Sequence, residues 1–278
     1  MRRAIQALGV FIVVFAATGA VTAGGASANG SAYSPGLAYG WSGVGTGDGV
    51  RFVAFSMPKS TIVAAVRARD GRVLKSAVVR GFYGVPLVTY NGTPGGLSGS
   101  GKRLVLGSYG PMPGQKGQTR FVVLDTKTLD ARRVIVLDGA WSFDAVSPDA
   151  GTLYLTEHLR AGTKPVYRIR PFDTRAGRLG GAIVDRLEGE KDMGGEPVAR
   201  ASSPGGRWAY TLYARRGDEP FVHALDTVKR EAFCIDVPLR LGYGRQWGLR
   251  LRLAADSLSV RDGRRKVAAI DTRTWEVR

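Results

Sequence analysis

Four times in this chain a large apolar residue is followed by Asp-Thr: Leu124-Asp125-Thr126, Phe172-Asp173-Thr174, Leu225-Asp226-Thr227 and Ile270-Asp271-Thr272. No other Asp-Thr pair occurs, and the successive aspartates stand 48, 53 and 45 residues apart. A degenerate mark, Arg69-Asp70-Gly71, lies 55 residues before Asp125. Recurrence at this spacing is the signature of a repeat architecture, in which each unit buries its apolar faces only against its neighbours.

A second element recurs upstream of three of these marks. Ser98-Gly99-Ser100-Gly101, Ser147-Pro148-Asp149-Ala150-Gly151 and Ser203-Pro204-Gly205-Gly206 each lead into an apolar or alternating run. Gly and Pro supply the turn dihedrals, and the runs that follow have the pattern of buried strands. Helical periodicity is absent after the first 30 residues, and 39 Gly and 13 Pro break the chain into short segments.

Each unit resolves into four strand-like runs. The first holds 37–41, 50–57, 61–69 and 72–80, and the second 85–90, 103–108, 120–125 and 132–137. The third holds 141–146, 152–157, 165–171 and 180–186, and the fourth 197–202, 207–214, 220–226 and 230–236. The fifth holds 247–253, 257–261, 265–271 and 274–278. Asp-Thr then falls between the third and fourth runs, where an Asp carboxylate closes a turn by accepting from the backbone N–H two residues on. Four-stranded units of this length predict an all-β fold, a β-propeller of about five blades, with six possible if one blade is degenerate. A two-sheet sandwich is the competing fold, and it leaves the regular marks unexplained.

The N-terminus reads as a processing segment. Arg2-Arg3 precede an uncharged apolar run from Leu8 to Val21, and Ala26-Ser27-Ala28 is a small-x-small cleavage site. The expected organisation is a signal peptide over 1–28 and one propeller domain over 29–278, with cleavage after Ala23 as the alternative. Export places the protein in the periplasm, the cell envelope or outside the cell. The single cysteine, Cys234, excludes an internal disulfide and is expected to be buried as a small apolar residue. The net charge of +17 includes only nine lysines among 40 basic residues. A balance this basic suits anionic surroundings such as a cell-wall polyanion, phospholipid headgroups or nucleic acid, but the basic residues are scattered, so most are expected on solvated outward faces and a nucleic-acid interface is disfavoured.

Ser147-Pro148-Asp149-Ala150-Gly151-Thr152-Leu153-Tyr154 resembles the Ser-Pro-Asp-Gly-x-x-Leu-Tyr strand motif of bacterial TolB-like propellers. The Leu-Asp-Thr turn is similar to the strand-three exit of those repeats and of secreted YVTN-type propellers. The resemblance runs over about residues 95–278, and only the third unit carries the motif nearly whole. It implies a fold and leaves function open, since such repeats serve scaffolds and enzymes alike.

Four features bear on chemistry. Gly96-Leu97-Ser98-Gly99-Ser100-Gly101-Lys102 matches seven positions of a phosphate-binding loop. Arg103 stands where magnesium needs Ser or Thr, and a strand follows where a helix is required. His158 is placed after the second run of its unit and His223 within a third run, and both are expected as satisfied structural residues. Glu188-Gly189-Glu190-Lys191-Asp192-Met193-Gly194-Gly195-Glu196 is expected as a solvated connector, with calcium as the alternative. Trp41, Trp141, Trp208 and Trp247 are expected as filler between blades, or as stacking groups at the channel mouth.

No residue is therefore assigned a catalytic, cofactor-binding or metal-binding role, and no cofactor is implied. The exposed Gly/Pro-rich loop Tyr109–Gln118 is the expected variable contact surface. The leading function is an exported, non-catalytic binding or scaffold propeller that contacts a protein, a cell-wall polymer or a small ligand. The alternative is a secreted hydrolase or lactonase with carboxylates, and a calcium ion, at the channel mouth.

Overall fold

The computed structural model describes residues 33–278. The expected leader, with its cleavage site at Ala26-Ser27-Ala28, lies outside the described residues.

After a short strand β1 (Leu37–Ala38), the chain forms five antiparallel sheets in sequence order. Blade 1 contains β2 (Gly40–Gly45), β3 (Val50–Met57), β4 (Ser60–Arg67) and β5 (Val73–Arg80). Strand β6 (Val85–Pro86) pairs with β1 and leads to blade 2, made of β7 (Arg103–Gly107), β8 (Gln118–Asp125) and β9 (Ala131–Asp138). Blade 3 holds β10 (Trp141–Val146), β11 (Thr152–Arg160), β12 (Val166–Asp173) and β13 (Arg178–Leu179). Blade 4 holds β14 (Glu196–Ser202), β15 (Trp208–Ala214), β16 (Phe221–Asp226) and β17 (Glu231–Asp236). A single helical turn, α1 (Tyr243–Gln246), precedes blade 5, with β18 (Leu249–Ala254), β19 (Ser257–Asp262) and β20 (Arg265–Asp271).

Alternation along these strands produces two buried faces per blade, and four apolar clusters join the blades in order. Phe52, Ala54 and Val63 of blade 1 pack on Leu104, Leu106, Val122 and Leu124 of blade 2. Val105, Val123 and Ile135 on the opposite face of blade 2 meet Phe143, Leu153 and Phe172 of blade 3. Tyr154 and Ile169 of blade 3 meet Ala209 and Leu225 of blade 4. Tyr210, Leu212 and Val222 of blade 4 meet Leu249, Leu258 and Val260 of blade 5. Sheets packed face to face in sequence, each between its chain neighbours, form a β-propeller. Among the described residues, no apolar cluster joins blade 5 to blade 1.

The repeat marks prove to be two halves of one joint. At all four Asp-Thr turns the aspartate Oδ1 accepts from the N–H groups two and three residues on, at 2.7–3.3 Å. The residue four after each aspartate has positive φ: Leu129, Gly177, Arg230 and Trp275. The threonine then reaches the upstream turn of the same blade. Its hydroxyl donates to the carbonyl of Gly101 (2.7 Å), Ala150 (2.8 Å) or Arg207 (2.8 Å) in blades 2 to 4, and in blade 5 the Thr272 N–H donates to Asp256 O at 2.8 Å. That upstream turn is the serine turn, whose Oγ accepts the N–H five residues on: Ser98 from Arg103, Ser147 from Thr152 and Ser203 from Trp208, at 2.9–3.1 Å.

The structure corrects the register of the degenerate mark. In blade 1 the aspartate position is Arg67 and the threonine position Ala68, because Gly71 N–H donates to Arg67 O and Ala68 N–H to Gly49 O, each at 2.8 Å. Asp70 supports that turn by accepting from Arg72 N–H at 3.1 Å.

Three expected strands are curtailed. The run 85–90 forms a ladder only in β6, Leu87 bridges back to Pro94, and Tyr90 N–H donates to Pro197 O of blade 4 at 2.8 Å. The run 180–186 is replaced by the two-residue β13, since Pro171 of β12 has no N–H to continue the ladder. Residues 185–186 instead bridge to β17, with Arg186 N–H donating to Ala232 O at 2.9 Å. The run 274–278 contributes one bridge, Ile270 to Val277. Blades 2 and 5 are therefore three-stranded sheets with a fragmentary fourth.

Asp226 is the most committed of the turn aspartates. Its side chain has no exposed surface, and besides two backbone N–H groups it accepts from Arg207 Nε and Nη2 at 3.0 and 2.7 Å. Asp226→Ala is expected to lower the unfolding free energy by about 3 kcal/mol by leaving several donors unpaired. Asp271→Ala, whose turn is exposed, is expected to cost clearly less; urea unfolding followed by tryptophan fluorescence measures both.

Candidate functional site

In each up-and-down sheet the turns between first and second and between third and fourth strands share one end, and the turn between second and third strands lies at the other. We refer to these as the lower and upper ends. Two cavities lie along the inner strands. The lower one, about 470 Å³, is walled by turn residues of blades 1 to 4, among them Gly45, Gly99, Ser203, Gly206 and Thr227. The upper one, about 50 Å³, is framed by Tyr33, Tyr90, Tyr167 and Tyr213 with His158 and Glu196. Val88, Phe143 and Asp144 line both cavities and form the partition between them.

A buried ion pair completes the partition. Arg200 Nη2, on β14, donates to the Asp144 carboxylate and, at 3.0 Å, to the Asp144 carbonyl. Both side chains are over nine-tenths buried. Asp144 can face Arg200 because β10 bulges between Phe143 and Ala145, freeing it from the ladder. Arg200 heads a cross-strand row, Arg200–Thr211–His223–Cys234, in register across all four strands of blade 4. Asp144 Oδ2, Arg200 Nε, Thr211 Oγ1 and His223 Nδ1 find no hydrogen-bond partner in the protein. Two donor-or-acceptor groups, one donor and one acceptor so close to the axis suit a small polar molecule or water carrying both functions.

The histidines differ from expectation. His158 sits inside β11, not after it, and both histidines are buried in the interface of blades 3 and 4. Burial lowers the His158 imidazole to about 3, so it is neutral at physiological pH. Its Nε2 lies 2.8 Å from Ser142 Oγ, and its ring meets Tyr33 edge-on at 4.9 Å. His223 is also lowered, first by burial, and its bare Nδ1 departs from the expected satisfied residue. Nothing in the spacing of Ser142 and His158 announces this pair. Only the antiparallel register of β10 and β11, which sets Ser142 opposite Thr156, brings them together.

The other sequence features resolve as follows. In the segment resembling a phosphate loop, Gly99 presses against the serine turn of blade 4, so that a Cβ there would stand 1.8 Å from Gly205 O. Its glycines serve close backbone contact between two turns, and the chain continues into β7. The acidic connector lines an outer cavity of about 120 Å³ with Asp185, Arg215, Cys234 and Asp236. There Asp192 pairs with Arg168 at 3.0 Å, and Asp185 accepts from Cys234 N–H at 2.9 Å. No group of three His, Cys, Asp or Glu side chains suited to a metal ion occurs among the described residues. Cys234 is partly buried, and its thiol is raised by burial and then by Asp185 and Glu188, which keeps it protonated. Trp141 is buried between blades, whereas Trp41 is 59% exposed. The loop 109–118 lies at the upper end, anchored by Tyr33 Oη donating to Gly110 O at 3.1 Å.

No protein-family model matches the chain, and no curated protein matches it. Solved structures match its path. Hydrazine synthase of Kuenenia stuttgartiensis is 14% identical over 81% of this chain and 74% of that chain, with a TM-score of 0.43. TolB from Acinetobacter baumannii is 14% identical over 82% of this chain and 56% of that one, with a TM-score of 0.36. AztD from Citrobacter koseri is 15% identical over 82% and 58%, with a TM-score of 0.36. The chain spans little more than half the length of the TolB and AztD chains. It is a β-propeller whose resemblance to TolB-like proteins is one of fold. The propeller assignment rests on the sheets and clusters described above.

Two outcomes follow from this geometry. A histidine lowered on folding binds its proton more readily when unfolded, so its contribution to stability is complete above pH ~6.5 and is lost as pH falls toward the folded value. Unfolding free energy is therefore expected to decline between pH 6.5 and 5 by up to about 1.4 kcal/mol per pH unit for each buried histidine. His158→Gln should reduce that slope, as read from urea titrations at several pH values. Gly99→Ala is expected to destabilise the fold by about 1–3 kcal/mol, since the backbone of Gly205 has no rotamer with which to give way.

Proposed function

We propose that this chain is an exported, non-catalytic binding propeller acting in the periplasm, the cell envelope or the medium. Its upper mouth takes a small ligand, a cell-wall polymer or a segment of another protein. The observation that carries this reading is the use of charge on the axis. Asp144 and Arg200 are bonded to each other, while four tyrosines frame the opening. Aromatic faces around a small polar cavity suit recognition by stacking and hydrogen bonding. Export rests on Arg2-Arg3, the apolar run and the Ala26-Ser27-Ala28 site. No helix among the described residues is long and apolar enough to cross a membrane. The net charge of +17 favours an anionic polymer among the possible occupants.

One observation favours the hydrolase reading, the 2.8 Å contact between Ser142 and His158. An imidazole held near 3 is a weak general base at neutral pH, which counts against an activated serine there.

The two readings separate in paired assays. Incubation with p-nitrophenyl acetate, with and without calcium, is expected to give no turnover above buffer. Co-sedimentation with an insoluble anionic cell-wall preparation is expected to be saturable and weakened about tenfold by Tyr90→Ala. Ester turnover that disappears in both Ser142→Ala and His158→Gln would overturn the binding reading.

A further inference from the structure

The upper cavity carries a charge pattern opposite to that of the chain around it. The sequence holds 40 Lys and Arg against 23 Asp and Glu, yet the charged residues on the wall of this cavity are Asp144 and Glu196. No Lys or Arg among the described residues lines it. Asp144 is neutralised by Arg200, which borders the lower cavity instead. His158 adds no positive charge, because burial keeps its imidazole neutral. Glu196 has no such counterpart. Among the described residues no cation lies within ion-pair distance of it, and the two from the loop after β15 are committed elsewhere, Arg215 to Asp236 and Arg216 over the Tyr243 ring at 4.1 Å.

Glu196 opens β14 beside the aromatic frame. Tyr33, His158, Tyr167 and Tyr213 form a continuous wall, with successive ring centroids 4.9, 5.9 and 6.0 Å apart. Tyr90, packed on Trp247 at 5.6 Å, lines the same space. The Tyr90 hydroxyl is pushed up to about 12, first by burial and next by Glu196, which sets that carboxylate near the ring. Tyr33 and Tyr167 spend their hydroxyl protons on main chain, at Gly110 O and at Gly194 O and Gly195 O. What these two rings offer an occupant is π surface and phenolic oxygen, both of which attract positive charge. The space is small: at about 10–15 Å³ for each water-sized group, 50 Å³ takes roughly four of them.

We infer that the upper cavity takes an alkylammonium head, a positively charged nitrogen bearing methyl or methylene groups, set among the tyrosine rings with Glu196 as its counter-ion. This rests on the reading of the upper mouth as the binding site and names the group that enters it. A methylated ammonium head has about the number of heavy atoms the space accepts. Its C–H groups pack on the rings while its charge is met by the ring faces and the carboxylate. An anionic head fits poorly, since it meets Glu196 and finds no cation on the wall. The net charge of +17 does not forbid a cation here. The screening length in physiological salt is about 8 Å, so cations beyond the mouth are largely damped and the local carboxylate decides. A polymer bearing both anionic groups and alkylammonium heads meets the basic exterior and the cavity at once.

The test uses the full chain and calorimetric titration with choline and with its uncharged isostere, in which a tert-butyl group replaces trimethylammonium. Choline is expected to bind saturably, and the isostere about tenfold more weakly or worse. Glu196→Gln and Tyr90→Ala should each weaken choline binding by about tenfold, whereas Glu188→Gln in the outer acidic connector should leave it unchanged. Added salt should weaken binding to the parent. The isostere comparison is made on the parent protein, so it decides the matter even where a variant fails to fold. Choline that releases the protein from the cell-wall preparation identifies a head carried on the polymer, and choline that binds without releasing it identifies a free amine. Absence of choline binding, equal binding of the isostere, or unchanged affinity in Glu196→Gln would each overturn the inference. In those cases co-sedimentation that still requires Tyr90 leaves the reading of the mouth standing, and loss of that requirement removes both.

Discussion

A β-sheet with apolar side chains on both faces is unstable in water until both faces are covered, and everything in this molecule follows from that requirement. Alternation along a strand can direct one set of apolar residues inward and leave the other set to solvent. Here both sets are apolar in blade after blade: Leu104 and Leu106 turn one way and Val105 the other, and all three are fully buried. Covering both faces needs a neighbour on each side. At roughly 25 cal/mol per Å² of apolar surface, burying one such Leu or Val stabilises by about 1.5–3 kcal/mol. Each seam collects several of them, which makes the series of sheets the dominant stabilising term.

Face-to-face packing alone does not fix the order of strands within a blade. That is the work of the paired turns. The aspartate ties its own loop, the threonine ties that loop to the serine turn, and the serine ties its turn to the start of the second strand. The joint links all four strands at the lower end through hydrogen bonds among residues distant in sequence. Thr227, 20 positions from its partner Arg207, is one example. In blade 1 the bonds that close the joint are made by backbone, with Ala68 and Gly71 standing where Thr and a left-handed residue stand elsewhere, and the Asp70 and Thr46 side chains brace its two turns by accepting from the N–H groups of Arg72 and Val50. The joint is thus a matter of main-chain geometry that Asp and Thr reinforce. This explains how one copy survives without them.

The same logic accounts for what could be read in the sequence. The Asp-Thr and serine marks are local, so their period gave the number of blades and most strand positions to within a residue or two. Elements decided by distant partners were not legible. The run 85–90 has strand character, yet it ends after Pro86 because Tyr90 and Asn91 bond to blades 4 and 5. The run 180–186 reads as a strand, yet past Pro171, which cannot donate, it holds β12 only through Ile183 N–H to Ile169 O and then bridges to β17. The candidate site was illegible for the same reason. Ser142 and His158 are 16 residues apart with no motif between them, and Asp144 and Arg200 are 56 apart on different blades. Cross-strand register and a bulge place them, and neither has a signature in residue spacing.

The least expected feature is how the ring is braced. The N-terminal strand β1 pairs with β6 beside blade 2, and it contributes nothing to blade 5. The bracing runs across the axis. Tyr90 N–H donates to Pro197 O, Asn91 Nδ2 donates to Val198 O at 2.7 Å and to Trp247 O at 3.0 Å, and the glycine turns at Gly99 and Gly206 meet below. Blade 2 is thereby fastened to blades 4 and 5 through the middle of the molecule. The face of blade 1 turned away from blade 2 is covered along Val53, Ala64 and Val66, each at most 3% exposed, and opens to solvent only at its upper rim, at Trp41 and Val78. The cross-axis contacts also occupy the space a through-channel would need. They divide it into an upper tyrosine-framed cavity and a lower glycine-walled one, with the Asp144–Arg200 pair between them.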